Sequence, residues 1–437
     1  MYRLFERGAT CVGLDFLAHP FWDKYLEFEE RMDQHDRIFA VLGRVIAIPM
    51  HQYARYFEKY RTLAQSRPLT AIVPTGVLTK FQMELENEGA GYKAGRSQME
   101  VERDLRARID TFHLQTFHQT QTETTNRWTY ESEIKRPYFH VTDLDEGQLV
   151  NWRKYLDYEE SEADYIRVQF LYERCLVTCA QHEEFWMRYA RWMSAQPNKQ
   201  EEVRIIYQRA SCLFVPIALP AIRLQYAYFE EMQGRVDVAK AIHEAILFQL
   251  PGHVETIVSW ANTCRRHDGL DSAIAVYKDQ LESPQCDNAA KAAVVAEWAR
   301  LVWRDKGSAE ESRQIFKKNQ PHHLDSPAFW RSYLRFEIDQ PATPEEDKAH
   351  HDQVKRVLDD MLQRTKLSAP TIQELVTIYM EYLLERGSKD AAKEHMDLDR
   401  EINGPASVAK VLKGRTSTEQ LGVPAKGLGL VNGQVRR

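Results

Sequence analysis

The 437-residue chain is short of the features that mark a catalyst, a membrane protein or a disulfide-built protein. Its six cysteines, at positions 11, 175, 179, 212, 264 and 286, form no CxxC pair. They read as free thiols of a reducing compartment. Cys175 and Cys179 stand four apart, on one side of a helix, but no matching His or Cys pair completes a metal set. No run approaches the roughly 18 apolar residues that span a bilayer, so no membrane contact is expected. The opening Met-Tyr-Arg-Leu-Phe-Glu-Arg lacks the shape of a secretory signal. There is no GxxxxGKS/T, no GxGxxG after a strand and no HExxH. His322-His323 and His350-His351 read as polar-loop pairs whose side chains point apart. The expectation is a protein with no catalytic residues, no cofactor and no metal. An excess of basic charge is missing as well. Lys and Arg number 58 against 64 Asp and Glu, for a net charge of −6. A domain that grips nucleic acid unaided carries a basic face, so RNA contact is expected to be indirect or weak.

Tryptophan is what the chain does have, and in order. Trp22, Trp152, Trp186, Trp260, Trp298 and Trp330 each open an amphipathic stretch. From Trp152 to Trp330 the intervals are 34, 37, 37, 38 and 32 residues, with Arg223 in the one unfilled slot. A period of this length is the signature of stacked helical hairpins. The first helix reads Trp-x-x-Tyr-x-x-aromatic-Glu: Trp22-Tyr25-Phe28-Glu29, Trp152-Tyr155-Tyr158-Glu159, Trp330-Tyr333-Phe336-Glu337. Tyr226-Phe229-Glu230 lacks only the tryptophan, and Trp186-Tyr189-Trp192 lacks the glutamate. Offsets of three and six put these rings along one side of a helix. They are read as core anchors and not as a base-stacking platform. The glutamates are read as partners of arginines on neighbouring helices. The second helix, about 20 residues on, reads aromatic-x-Arg-small, as in Phe5-Glu6-Arg7-Gly8, Tyr172-Glu173-Arg174-Cys175 and Tyr207-Gln208-Arg209-Ala210, with Leu42-Gly43-Arg44-Val45 a weaker copy. The small residue lets two helices approach closely. Pro49, Pro216, Pro251 and Pro321 mark turns between units.

The pattern breaks in four places. Tyr2 to Gly8 matches a second helix with no first helix before it, so N-terminal repeats are expected to be missing. Residues 61–134 carry no repeat. They read as a loop and then a long, charged helical connector interrupted by glycines 89, 91 and 95; thirty-odd helical residues span roughly 50 Å. Asp339 to His351, with Pro341, Pro344 and Glu345-Glu346-Asp347, reads as an acidic loop inside the Trp330 unit. Residues 401–437 read as a flexible basic tail, with Lys410, Lys413, Arg415, Lys426, Arg436 and Arg437 against Glu419. The expected fold is therefore all-α, a superhelix of helical-hairpin repeats in two blocks: 1–60 and 135–400, joined through 61–134.

The two-helix pattern is similar to the half-a-tetratricopeptide (HAT) repeat, a class found largely in RNA-processing proteins. Three segments are more specific. They are Arg136-Pro137-Tyr138-Phe139-His140-Val141 with Leu144 to Leu156, the start Leu4 to Gly8 with His19 to Tyr25, and Arg44-Val45-Ile46-Ala47-Ile48-Pro49. Together they resemble the pre-mRNA-processing factor 39 family. That resemblance implies a nuclear, non-catalytic scaffold of the U1 small nuclear ribonucleoprotein (snRNP), acting in 5′ splice-site recognition. It implies docking on U1 proteins, including the zinc-finger subunit. It also implies a dimer through the C-terminal HAT block, with a copy of itself or a paralogue. A scaffold of 3′-end cleavage or ribosomal RNA processing is the alternative, and direct RNA binding a further one. The sequence adds support for dimerisation of its own. The stretch Thr371 to Arg386 carries two apolar stripes where a terminal helix needs one. Leu375, Val376, Tyr379, Met380, Tyr382 and Leu383 are accordingly expected at a two-fold interface.

Overall fold

The computed structural model describes residues 1–89, 97–343, 345–387 and 389–403, and the described residues contain helices and no strand. Glycines 91 and 95, Pro344 and the tail from 404 onward lie outside them. The molecule divides into two compact units, Met1–Pro216 and Ile217–Arg437.

In the first unit, α1 (Tyr2–Val12) is followed by the pair α2 (His19–Arg31) and α3 (His35–Val45), then α4 (Tyr53–Ala64), the short α5 (Leu69–Ile72) and α6 (Thr75–Gly89). The 34-residue α7 (Gln98–Glu131) leads into α8 (Glu146–Glu162), α9 (Tyr165–Thr178), α10 (Glu183–Ser194) and α11 (Gln200–Arg209). The second unit stacks α12 (Ala221–Met232), α13 (Val236–Gln249), α14 (Val254–Asp268), α15 (Leu270–Glu282), α16 (Asn288–Leu301), α17 (Ala309–Asn319), α18 (Pro327–Ile338), α19 (Asp347–Arg364), α20 (Ala369–Arg386) and α21 (Ala391–Asn403). Successive helices pack on one another, so the core runs through each stack as a continuous seam.

The stretch read as a connector is built into the first unit. α7 starts from a capping box, Ser97 and Glu100 each satisfying the other's backbone N–H. It then lays Ile109, Phe112 and Phe117 against the N-terminal helices. Phe117 meets Phe57 at 4.7 Å, Arg61 forks onto Asp110 at 2.9 and 2.6 Å, and Thr120 donates to the Ile46 carbonyl at 2.9 Å. Charge on the outer faces hid this stripe in the sequence. A second contact ties the N-terminal helices directly to the later repeats: Arg174 of α9 reaches Asp15 at 2.9 Å.

The small residue of the second-helix motif does what its size suggests. A Cβ on Gly8 would stand 2.6 Å from the Phe21 ring, and Cys175 and Ala210 are fully buried. Gly13 keeps open the approach of the Trp22 indole, which donates to the Gly13 carbonyl at 3.0 Å. Of the two histidine pairs, His322-His323 lies in the connector before α18, with His322 exposed, whereas His350-His351 does not lie in a loop. His350 and His351 fall in the first turn of α19, where His350 meets the Glu337 carbonyl at 2.8 Å. His323 is buried against Phe329.

Candidate functional site

The repeat anchors make a ladder, built the same way three times in the first unit. A glutamate late in one helix accepts a hydrogen bond from the tyrosine of the next. An arginine from the helix after that closes on the same carboxylate. Glu6 takes Tyr25 Oη at 2.5 Å and Arg44 at 3.0 Å. Glu131 takes Tyr155 at 2.9 Å and Arg174 at 2.8 Å. Glu173 takes Tyr189 at 3.1 Å and Arg209 at 2.8 Å through both nitrogens. The aromatic residue just before each glutamate stacks on the same tyrosine: Phe5 on Tyr25 at 4.8 Å, Tyr130 on Tyr155 at 5.0 Å, Tyr172 on Tyr189 at 4.7 Å. The arginine then covers the indole of its own repeat, Arg44 over Trp22, Arg174 over Trp152 and Arg209 over Trp186, at 5.3 to 5.9 Å. One rung thus joins three consecutive helices. The Tyr-Glu dipeptide ending α7 shows that this helix serves as the second helix of a repeat.

The electrostatics follow from this geometry. Partial burial pushes the Glu6 carboxyl up, but hydrogen bonds from Tyr25 and Arg44 outweigh it and the net shift is down. Burial and the neighbouring carboxylate push the Tyr25 and Tyr189 hydroxyls well above the usual phenol range, so they remain donors. The first-helix glutamates are buried: Glu29, Glu159, Glu230 and Glu337 are at most 1% exposed. Arg127 of α7, 2% exposed, meets Glu159 at 2.7 and 3.1 Å, and Arg167 approaches it at 3.3 Å. Arg313 grips Glu337 at 2.9 and 3.0 Å, and burial nevertheless holds the Glu337 carboxyl above its ordinary range. Arg37 stands 3.8 Å from Glu29 and Arg235 3.5 Å from Glu230. Arginines thus hydrogen-bond Glu159 and Glu337, whereas Arg37 approaches Glu29 without bonding to either of its carboxylate oxygens.

Trp22, Trp152, Trp186 and Trp330 are at most 1% exposed, and Tyr25, Tyr155, Tyr189, Tyr226 and Tyr333 are buried beside them. Phe316 repeats the ring stack on Tyr333 at 4.6 Å. Trp260 and Trp298 differ. Both are only half-buried, at the edge of the seam through α14 to α16. In α14 the buried face belongs to Thr256, Ile257, Ser259, Ala261 and Thr263. There the aromatic ladder gives way to a polar chain: buried His243 bonds to Ser259 at 2.9 Å, and Ser259 donates to Tyr228 at 3.0 Å. Tryptophan spacing alone placed these two indoles one register away from the true contact face.

The six residues expected at a dimer interface are covered within the chain. Leu375, Val376, Tyr379, Met380, Tyr382 and Leu383 are all buried in the core of the second unit. α18, α19 and α21 all pack against α20. Tyr379 donates to Glu394 of α21 at 3.0 Å, and Tyr382 meets His350 of α19. Leu384, at the end of the second stripe, stays exposed. The sequence stopped short of α21 because Ala391 to Asn403 is charged and has no tryptophan.

Among the described residues no group of three His, Cys, Asp or Glu could hold a metal ion. Cys175 and Cys179 are buried thiols; burial pushes Cys175 up, while a hydrogen bond from Cys175 draws Cys179 down. No helix among the described residues is long and apolar enough to cross a membrane.

Stacked hairpins pinned by Trp, Tyr and a buried Glu define a HAT-repeat solenoid, a protein class built for holding other molecules along its helices. Residues 1–62 match the model described as the PRP39 N-terminal HAT repeat, and residues 125–266 match the PRP39 C-terminal HAT repeat. The chain is 48% identical over 418 residues to Pre-mRNA-processing factor 39 of Schizosaccharomyces pombe, covering 93% of this chain and 68% of that protein. It is 28% identical over 356 residues to the human protein of the same name, covering 76% of this chain and 52% of the human one. A crystal structure of CstF-77 aligns with the whole chain at a TM-score of 0.56 and 12% identity, over 81% of its own length, a likeness of fold alone. The chain belongs to the pre-mRNA-processing factor 39 family, and its role lies in pre-mRNA processing.

Proposed function

We propose that this chain is a nuclear, non-catalytic scaffold of the U1 snRNP that acts in 5′ splice-site recognition through protein–protein contacts. The observation that carries the reading is the identity to Pre-mRNA-processing factor 39 across nearly the whole chain. The ladder supports it: the chain's conspicuous polar side chains are spent on each other. Glu6, Glu131, Glu159, Glu173 and Glu337 each hold an arginine, and the tyrosines that face them are buried donors. Such a framework keeps helix faces at fixed spacing, which is what a scaffold needs from its core. Its contacts would include U1 proteins, the zinc-finger subunit among them. A dimer through the C-terminal block, with a copy or a paralogue, belongs to the same proposal. Its contacts would have to come from residues other than the six now found in the core.

The test is a tagged full chain recovered from nuclear extract at rising salt. Enrichment of U1 RNA and U1 proteins over the other spliceosomal RNAs is the expected result. Recovery of none of the U1 components, or of a 3′-end cleavage complex in their place, would reject the proposal.

A further inference from the structure

Residues 132–145 join α7 to α8 and contain no helix. Thr142, near the end of this loop, is exposed. Its hydroxyl is nevertheless held from two sides. Arg136 donates to Thr142 Oγ1 at 3.1 Å and, through the other arm of its fork, to the Thr142 carbonyl at 3.0 Å. His140 Nδ1 lies 2.8 Å from the same hydroxyl and accepts the Thr142 backbone N–H at 3.1 Å. A backbone N–H can only donate, so Nδ1 is the lone-pair nitrogen and the hydroxyl proton points to it. Arg136 Nε is buried and has no hydrogen-bond partner among the described residues. The clamp on Thr142 therefore holds a donor that is not yet used.

The residues after Thr142 carry the opposite charge. Asp143, Asp145 and Glu146 follow at one, three and four residues, and all are exposed. Acid-directed protein kinases choose a Ser or Thr in an irregular segment by the carboxylates on its C-terminal side, which their own basic residues read. Ser97, Ser308 and Thr343 also stand three residues before a glutamate. Ser97 and Ser308 are spent as helix caps, and Thr343 donates to Glu346 at 2.9 Å. Thr142 differs from them in lying outside any helix cap, with a guanidinium already on its hydroxyl oxygen.

We propose that Thr142 is a phosphorylation site for an acid-directed protein kinase and that Arg136 holds the phosphate. Transfer from ATP breaks the bond between the γ-phosphorus and its bridging oxygen, forms the Oγ1–P bond and releases ADP; the hydroxyl proton leaves to the kinase's base. The bond from the hydroxyl to His140 is lost with that proton. Arg136 gains more than is lost. A phosphate brings about two negative charges and three strong acceptor oxygens to a guanidinium that already reaches the ester oxygen. Asp143, Asp145 and Glu146 repel it, but they are exposed and screened by water, and Glu146 is held by Arg153 at 2.7 Å. The fork from Arg136 to Thr142 closes the loop that carries Tyr138, Phe139 and Val141, all exposed. Phosphorylation therefore tightens this loop and fixes its apolar tip in one arrangement.

The experiment treats the full chain with ATP and a purified acid-directed kinase. Mass spectrometry places the phosphate, and brief chymotrypsin digestion probes the loop, since Tyr138 and Phe139 are exposed cleavage points. Thr142 should carry the phosphate, and cleavage after Tyr138 or Phe139 should slow about tenfold, the factor set by one added hydrogen bond to a charged group. Thr142→Val should take no phosphate in this loop and show no slowing. Arg136→Gln should still be phosphorylated but lose the protection, and a thermal transition like the parent's shows that this variant is folded. An absence of phosphate on Thr142 in the folded chain overturns the proposal. So does phosphorylation that leaves cleavage unchanged or quickens it, or protection that survives in Arg136→Gln.

Discussion

The most exacting test of the ladder is the buried pair between Arg127 and Glu159. Both side chains are at most 2% exposed, and the guanidinium also lies 5.3 Å from the Tyr158 ring. Replacing one member leaves the other as a buried charge with incomplete compensation. Arg127→Met should therefore destabilise the α7–α8 contact by about 3–5 kcal/mol. Arg167, 3.3 Å from the same carboxylate, takes up part of the loss and places the value toward the lower end of that range. Replacing both members by apolar residues of similar size, Arg127→Met with Glu159→Leu, should recover most of it, because the fully buried charges are then gone and only the more exposed Arg167 and Glu123 lose a contact. The pair and its replacements form a double-mutant cycle with a large coupling. Native-state hydrogen exchange suits the measurement, since it reads the opening of α7 and α8 separately from the second unit. A cost below about 1 kcal/mol for Arg127→Met is the value of an exposed pair, and would show that water reaches this contact. A double variant as damaged as the single one would show that packing and not charge is at stake.

Other outcomes follow from the same geometry. Trp22, Trp152, Trp186 or Trp330 to Ala should each cost about 3–5 kcal/mol. Trp260 or Trp298 to Ala should cost less, since both indoles are only partly buried at the edge of the core; thermal unfolding of the six variants ranks them. Tyr189→Phe keeps the stack on Tyr172 and loses the bonds of the hydroxyl to Glu173 and Gln169. It should cost about 1 kcal/mol, whereas Tyr189→Ala should cost several times more. Gly8→Ala should loosen α1 from α2, because the added methyl meets the Phe21 ring; faster exchange in α1 is the readout. Acid should weaken the second unit through His243. Burial depresses its pKa, so the folded state resists the proton that the unfolded chain accepts. Its contribution is intact above about pH 6.5 and falls as the pH drops below that. Stability of α13 and α14 that is flat from pH 7.5 to 5.5 would contradict this.

Much of the architecture was legible in the residues themselves. The spacing of Trp22-Tyr25, Trp152-Tyr155, Trp186-Tyr189 and Trp330-Tyr333 marks one face of a helix, and burying such large rings dominates where those helices can go. The glutamate one turn further on required an arginine nearby, because a carboxylate cannot be buried alone. These are local rules, and a linear pattern carries them. Tertiary structure decided what depends on partners distant in sequence. The arginine that answers Glu159 comes from Arg127, 32 residues upstream, in a helix whose charged outer faces concealed its apolar stripe. Trp260 and Trp298 share the spacing of the anchors, but the buried faces of their helices belong to smaller residues, Thr256, Ile257, Ser259 and Ala261 in α14 and Ala292, Val294, Val295 and Ala299 in α16. The two stripes of α20, read alone, point to a second molecule; within the chain α18, α19 and α21 pack on this helix, and Leu384 of the second stripe stays exposed. Nothing in those residues distinguishes a second molecule from the next helix of the same stack, since both offer the same apolar surface. Within the chain it is α21 that packs on α20 after Arg386. Side-chain periodicity fixes which face is buried; only chain geometry fixes what buries it.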